Sequence, residues 1–116
     1  MSFERVCSLD EFRDGEAIGA TVGDQDVAVA KDGEEFFAVE NICSHAAVAL
    51  SEGEVEGCTV ECWLHGSRFD LRTGKPTGLP ATEPVATFPV EVRTEPDGTG
   101  SVYVDVTTTL NGVTPQ

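Results

Sequence analysis

Positive charge is scarce in this sequence. The chain has 7 Lys and Arg against 21 Asp and Glu, which gives a formal net charge of -14 at pH 7. An excess of this size repels the phosphates of nucleic acids and the anionic headgroups of membranes. We therefore expect neither nucleic acid nor a membrane as a partner, whereas a basic protein surface would be attracted. Solubility alone, or a salty cytoplasm that screens the repulsion, is an alternative reason for the acidity.

Long hydrophobic runs are also missing. No apolar stretch approaches the roughly 20 residues that a transmembrane helix needs. The start Met1-Ser2-Phe3-Glu4-Arg5 lacks the basic and then apolar character of an export signal. We therefore expect a cytoplasmic protein. Its 116 residues, of which 40% are hydrophobic, are enough for one folded domain.

Long helical periodicity is absent as well. Short alternating segments separated by turn residues predict an all-β fold, either an antiparallel sandwich or a barrel. One helical turn is expected at Ser8-Leu9-Asp10-Glu11, which has the form of a capping box. The predicted strands are Phe3–Cys7, Ala17–Val22, Val27–Ala30, Phe36–Ile42, Thr59–Cys62, Ser67–Leu71, Val85–Phe88, Val90–Thr94 and Ser101–Val106. We expect one domain at residues 1–106 and a loosely ordered tail at residues 107–116, which are polar and without periodicity.

Histidine is rare, and both histidines lie close behind a cysteine. The two His and four Cys of the chain include Cys43-Ser44-His45 and Cys62-Trp63-Leu64-His65, which together form the pattern C-x-H-x16-C-x2-H. Each pair falls between predicted strands, where two hairpin loops can present their tips to one another. The pattern therefore predicts a metal site enclosed by two loops.

Two kinds of metal centre fit these four side chains. Two thiolates and two imidazoles can hold one tetrahedral zinc, which would make the chain a zinc-stapled interaction module. Zinc sites, however, usually pair like ligands at wider spacing, whereas each loop here brings one cysteine and one histidine. This division favours a two-iron cluster in which one iron takes both thiolates and the other takes both imidazoles.

The residues around the two pairs carry a resemblance. Leu50 follows the first pair, and the second continues as Gly66-Ser67-Arg68-Phe69-Asp70 and then Gly74-Lys75-Pro76. With these residues the chain resembles the Rieske [2Fe-2S] family, most closely the small soluble ferredoxins of bacterial aromatic-ring dioxygenase systems. The resemblance covers nearly the whole chain. It implies a Rieske-type antiparallel β-sandwich with a cluster-binding part at about residues 41–82, made of two hairpin loops and a proline loop.

The resemblance also implies a role for each matching residue. Cys43 and Cys62 would bind the inner iron of one [2Fe-2S] cluster, and His45 and His65 would bind the outer iron near the surface. The segment around Pro76 would cover the cluster from a third side. The implied function is that of a one-electron carrier without catalytic activity, a monomer that docks transiently with a ferredoxin reductase and a terminal oxygenase. The small subunit of an assimilatory nitrite reductase is the alternative within this fold, and a service role in iron–sulfur assembly is a further one.

Several positions depart from the high-potential branch of that family. Its members carry two additional loop cysteines joined as a disulfide, and the corresponding places here hold Val48 and Leu64, so that bridge cannot form. Phe69 stands where those proteins have a tyrosine whose hydroxyl donates to a ligand sulfur. Ser67 keeps a hydroxyl that can donate to a bridging sulfide.

The sequence leaves the role of four further residues between two interpretations. Trp63, the only tryptophan, is either an exposed anchor for a redox partner or, as we favour, a residue that covers the cluster or fills a small core. Arg68, Arg72 and Lys75 either contact an acidic rim on the acceptor or, as we favour slightly, pair with nearby carboxylates.

The other two cysteines are not expected to be ligands. Cys7 ends a predicted strand, where a free cysteine behaves as a small buried hydrophobe. Cys58 follows Gly57 and is expected in a loop or at a strand start. A disulfide between Cys7 and Cys58 is disfavoured in a reducing compartment.

These departures generate a prediction about the reduction potential. One hydrogen-bond donor to the cluster is lost and another is retained, which favours the lower half of the roughly -150 to +300 mV Rieske range. We expect a midpoint below about 0 mV by protein-film voltammetry. A midpoint well above that value would contradict the assignment to the low-potential branch.

Overall fold

The fold consists almost entirely of β-strands. The computed structural model describes residues 3–13, 15–43, 48–63, 66–78 and 81–115. Within them lie ten strands and two 3₁₀ turns, Leu9–Glu11 and Leu50–Glu52. The strands are β1 (Glu4–Ser8), β2 (Ile18–Val22), β3 (Gln25–Asp32), β4 (Glu35–Glu40), β5 (Val55–Glu56), β6 (Thr59–Glu61), β7 (Arg68–Asp70), β8 (Thr87–Phe88), β9 (Val90–Thr94) and β10 (Gly100–Val104). No helix in this part of the chain is long and apolar enough to cross a membrane.

A four-stranded antiparallel sheet with the order β2-β3-β4-β8 forms the middle of the fold. Its strand β3 is buried on both faces: Val27 and Val29 belong to one core, and Ala28 and Ala30 belong to another. Side chains alternate between the two faces of a strand, so an uninterrupted apolar run is what a strand covered on both sides requires.

Two three-stranded antiparallel sheets cover this middle sheet. The sheet β1-β10-β9 lies on the face that carries the valines of β3 and contributes Val102 and Val104 to the core between them. The sheet β5-β6-β7 lies on the opposite face and contributes Val60 and Phe69. The first pair of sheets is the predicted antiparallel sandwich, and the third sheet forms a small subdomain on it.

The hairpin that joins β5 to β6 is the element that the sequence fails to predict. Its two turn residues, Gly57 and Cys58, both have positive φ, 57° and 60°. This is the backbone of a two-residue type I′ turn, which usually carries Asn-Gly or Asp-Gly. Cysteine is uncommon at positive φ, so the sequence gives no turn signal here. The predicted strand at Val85–Phe88 is also shorter in the structure, where only Thr87–Phe88 pairs with β4.

Other local predictions are confirmed. The turn after Ser8 is present as the 3₁₀ turn Leu9–Glu11, and the main-chain N–H of Ser8 donates to Glu11 Oε2 at 2.7 Å, one half of a capping box. Cys7 lies in β1 and is buried. None of the four cysteines forms a disulfide.

The segment after β10 is attached to the domain through Asn111. Its side-chain amide donates to the carbonyls of Thr73 and Val85, both at 2.8 Å, and its Oδ1 accepts from the N–H of Thr87 at 3.2 Å. The main-chain N–H of Leu110 also donates to the Thr87 carbonyl at 2.8 Å. Asn111 therefore joins the turn after β7 to the strand β8, although the division into a domain and a loose tail stays a prediction.

Replacing Asn111 by alanine should destabilise the protein. The substitution removes the hydrogen-bond partner of four main-chain groups, and we expect a loss of about 2 kcal/mol in the free energy of unfolding. Urea denaturation of the iron-loaded protein measures this free energy. Thr108→Ala, at an exposed position in the same segment, is the control and should change the free energy by less than about 0.5 kcal/mol. Equal effects of the two substitutions would contradict the anchoring role of Asn111.

Candidate metal centre

The first predicted loop begins at Cys43, just after β4. The N–H of Cys43 donates to the carbonyl of Val48 at 3.0 Å, which closes the loop at its base. The two sides of the loop are also joined by side chains: Asn41 Oδ1 accepts from the N–H of Ser51 at 2.7 Å, and Asn41 Nδ2 donates to Ser51 Oγ at 3.0 Å. These bonds hold Cys43 in a fixed position at the edge of the core, where it is 1% exposed.

The second predicted loop begins at Cys62, just after β6, and repeats this closure. The N–H of Cys62 donates to the carbonyl of Ser67 at 2.6 Å, again across five residues, and the N–H of Gly66 donates to the Cys62 carbonyl at 2.9 Å. Gly66 has a φ of 76°, a left-handed conformation that glycine adopts without strain. Cys62 is fully buried at the base of this loop.

The structure brings the two predicted cysteine ligands into one core cluster. Cys43 and Cys62 pack there with Leu50 and Phe69, and neither forms a disulfide. Two buried thiols at the bases of two closed loops fit a site that binds metal through sulfur on its inner side. His45 and His65 lie outside the described residues, so the complete set of four ligands stays a prediction.

The predicted proline loop runs back along β7 and ends at the second metal loop. Pro76 forms an isolated bridge with Phe69, and the N–H of Thr77 donates to the carbonyl of Arg68 at 2.7 Å. The N–H of Ala81 then donates to Ser67 Oγ at 3.1 Å. Ser67 is buried, and its hydroxyl has one hydrogen besides the lone pair used here. It can therefore hold the proline loop and donate to a group in the metal site at once.

The two aromatic residues predicted near the metal lie in opposite environments. The Phe69 ring is fully buried in the core below the loops. Trp63, next to Cys62, is 48% exposed. The interpretation that Trp63 fills a small core is therefore wrong, whereas the interpretation that it covers the cluster stays a prediction. About half of its surface is exposed.

The basic residues near the second loop pair with carboxylates, as the sequence analysis favours. Arg68 lies 3.4 Å from Glu61, and Arg72 lies 2.9 Å from Glu35 in a two-pronged contact. This contact lowers the pKa of Glu35, first through the hydrogen bonds and second through the charge of Arg72. Lys75 is exposed and makes no ion pair with the described residues. Exposed pairs of this kind contribute little to stability.

The remaining two cysteines have the properties of protonated thiols rather than of ligands. Burial is the main reason that the pKa of Cys7 is raised to about 11. Burial also raises the pKa of Cys58, against the opposing effect of the Arg72 charge. Both are neutral at physiological pH, and neither is predicted to bind the metal.

Comparison with known proteins identifies the family. The model of the Rieske [2Fe-2S] domain matches residues 2–89. The chain belongs to the Rieske [2Fe-2S] domain family. It is similar to the ferredoxin component of biphenyl 2,3-dioxygenase from Rhodococcus jostii RHA1, with 42% identity over 93 residues, which are 80% of this chain and 87% of the relative.

Solved structures give the same result. The ferredoxin of carbazole 1,9a-dioxygenase from Nocardioides aromaticivorans IC177 superposes with a TM-score of 0.74 at 35% identity, over 88% of this chain and 97% of that one. A ferredoxin chain in a structure described as a complex of reduced oxygenase and oxidized ferredoxin in carbazole 1,9a-dioxygenase superposes with a TM-score of 0.73 at 34% identity, over 88% and 91% of the two chains.

Family membership decides between the two metal centres considered above. This Rieske protein holds one [2Fe-2S] cluster, and the zinc-stapled alternative is rejected. It is an electron carrier of the ferredoxin type and has no catalytic activity of its own, as the sequence analysis expects.

Replacing Ser67 by alanine should affect both the proline loop and the metal site. Removing the hydroxyl takes away the acceptor for Ala81 and a donor toward the cluster sulfur, and loss of a donor lowers the reduction potential. We expect a lower midpoint in protein-film voltammetry. Ser51→Ala removes a hydroxyl that also accepts from an amide but belongs to the outer side of the first loop, and it should leave the midpoint unchanged. A midpoint for Ser67→Ala equal to that of the unsubstituted protein would contradict a donor role.

Proposed function

We propose that this Rieske ferredoxin carries single electrons from a ferredoxin reductase to the terminal oxygenase of an aromatic-ring dioxygenase system. The observation that supports this most is the pair of buried cysteines, neither of them in a disulfide, at the closed bases of two loops. They occur in a chain 42% identical to a protein named as a dioxygenase ferredoxin component. We further propose that it acts in the cytoplasm as a monomer.

In this proposal each ligand-type residue has one role. Cys43 and Cys62 bind the inner iron, and His45 and His65 bind the outer iron, within a cluster-binding part at about residues 41–82. When bound, the cluster supplies reversible one-electron storage at a potential higher than that of an all-cysteine centre. The buried Leu50 and Phe69 keep water away from the sulfur ligands.

The main-chain closures of the two loops serve the transfer step. A carrier must change charge without large movement of its surroundings, because every rearranged dipole adds to the barrier. The N–H groups of Cys43 and Cys62 are held by carbonyls five residues further on. The cysteines are therefore fixed by the fold before an electron arrives.

The acidic surface suits brief encounters with partners. A net charge of -14 accelerates association with basic surfaces at low salt, and weak docking permits rapid release. The exposed Trp63 lies next to a ligand in the sequence, so it is suited to be an aromatic contact in such a complex.

The small subunit of a nitrite reductase is less well supported as an alternative. Many subunits of that kind lack one or more ligands, and this chain has two cysteines and two histidines at the required spacing. The relatives with more than 40% identity that carry the argument here are named as dioxygenase components.

The ligand assignment is tested with the four cysteines of the chain. Anaerobically purified protein should contain two irons and two sulfides and give a reduced-state Rieske electron paramagnetic resonance signal. Cys43→Ala and Cys62→Ala should abolish the iron and sulfide content and the Rieske signal, because each substitution removes an iron ligand. Cys7→Ala and Cys58→Ala are matched controls and should retain the iron. Retention of the Rieske signal in either ligand variant would refute the assignment.

The carrier function is tested by reconstitution. Purified reductase and oxygenase of the biphenyl dioxygenase system should form the dioxygenated product at the expense of NADH when this protein is added. They should form no product when its Cys62→Ala variant is added instead. The same test is made with several ring-hydroxylating systems. If the protein is reduced but passes no electron to any of their oxygenases, the proposal is contradicted.

Trp63→Ala should weaken docking to the oxygenase without changing the midpoint. Removing an exposed aromatic contact at the centre of an interface typically costs more than 1 kcal/mol, which raises the dissociation constant about fivefold or more. Val92→Ala is the control, because Val92 is similarly exposed, at 45%, but lies in β9 of the sandwich. Equal affinities of the two variants would argue that Trp63 makes no contact with the oxygenase.

A further inference from the structure

A main-chain contact joins the end of the first metal loop to the start of the second. The first loop runs into the 3₁₀ turn Leu50–Glu52, and the N–H of Gly53 ends this turn by donating to the Leu50 carbonyl at 3.0 Å. Glu61 is the last residue of β6 and directly precedes Cys62. Gly53 is buried against the carbonyl group of Glu61. The two loops are therefore in contact next to one of the predicted cysteine ligands.

No side chain fits at position 53. A Cβ atom there would overlap the carbonyl oxygen of Glu61 and would lie 2.8 Å from the carbonyl carbon, closer than non-bonded carbon atoms approach. The φ of Gly53 is -88°, which any residue can adopt, so the backbone conformation does not require glycine here. The close approach of the Glu61 main chain is what requires it.

The segment that follows Gly53 is held in place on its other edge. The N–H of Val55 donates to the Gly15 carbonyl at 2.9 Å, and Glu54 forms an isolated bridge with Glu16. These contacts resist a shift of the whole segment, because a shift would leave main-chain hydrogen-bonding groups without partners. Gly53 therefore cannot retreat from β6 without the loss of these bonds.

Glu61 is held on both sides as well. Its N–H donates to the Glu54 carbonyl at 2.9 Å, and it pairs with Arg68 of the neighbouring strand β7. The next residue, Cys62, donates its N–H to the Ser67 carbonyl at the base of the second loop. Since both segments are fixed at their outer edges, an overlap between them would be passed on to Cys62 or to the turn that ends the first loop.

We propose that Gly53 is a positioning residue that sets the distance between the two metal loops. Because Gly53 has no Cβ, the main chains of the two segments approach each other closely enough for both cysteines to bind one iron. The inference deepens the proposed function and rests on its assignment of Cys43 and Cys62 as ligands. The role of Gly53 is steric, and it is not itself a ligand.

Gly53→Ala tests this role. We expect a folded protein that loses its iron to a chelator roughly tenfold faster or more than the unsubstituted protein, because an added Cβ forces the loops apart. We also expect its reduced-state Rieske resonance to shift, since the orientation of the ligands tunes the metal centre. A folded variant that takes up no iron would be the stronger form of the same result.

Gly100→Ala is the matched control. Gly100 lies in β10 of the sandwich, where an added Cβ would overlap the side chain of Leu9. This substitution therefore also crowds a packed position, but one outside the loop-bearing sheet. It should keep the rate of iron loss and the resonance of the unsubstituted protein.

The proposal is overturned by any of three results. An unchanged resonance in iron-loaded Gly53→Ala, whatever its rate of iron loss, would show that the contact does not set the position of the ligands. Equal effects of the two substitutions would attribute the change to overall stability. Loss of the β-sheet circular dichroism in Gly53→Ala would mean that Gly53 serves folding alone. Absence of iron from the unsubstituted protein would instead refute the ligand assignment, and with it the proposed function.

Discussion

Two main-chain hydrogen bonds fix the positions of the two predicted cysteine ligands, and the rest of the site depends on them. Each joins the N–H of a cysteine to a carbonyl five residues further on, from Cys43 to Val48 and from Cys62 to Ser67. They hold the two cysteines at the bases of the loops, where both are buried in the core. Two side chains reinforce these bonds. Asn41 joins the two sides of the first loop, and Ser67 joins the proline loop to the second loop.

The charged side chains of this protein lie in two settings, at the surface and in the interior. The exposed acidic residues lie at the surface, where they attract basic groups and where salt weakens that attraction. The few cations near the loops are largely neutralised locally, as Arg68 and Arg72 are by Glu61 and Glu35. The buried Glu40 lies inside the protein instead, where its Oε1 accepts from the N–H of Ala86.

Much of this could be predicted from the sequence, because the relevant signals are local. The ligand spacing, the glycine turns and the alternating strands are each contained within a few residues, and they predict the family, the cluster and most of the strands. The hairpin turn at Gly57 and Cys58 could not be predicted from local signals. The left-handed backbone conformation of Cys58 is held by a hydrogen bond from the N–H of Leu71, a residue distant in the sequence, to the Cys58 carbonyl.

Side-chain burial was harder to predict than strand position. The composition rule that tryptophan is mostly buried fails for Trp63, which is 48% exposed. The buried side chain of Glu40 accepts a hydrogen bond from Ala86, which is far away in the sequence. A contact between distant segments is not contained in the pattern of either segment.

The anchor at Asn111 determines which end of the chain can be attached to a support. This residue lies beyond the part matched by the family model, yet it bonds to Thr73 and Val85 on either side of the proline loop. A linker to an electrode or a fused enzyme at the carboxyl end would therefore pull on the residues that flank the proline loop. The amino end, which leads into β1 of the sandwich, is the better place for a tether in a bioelectronic device.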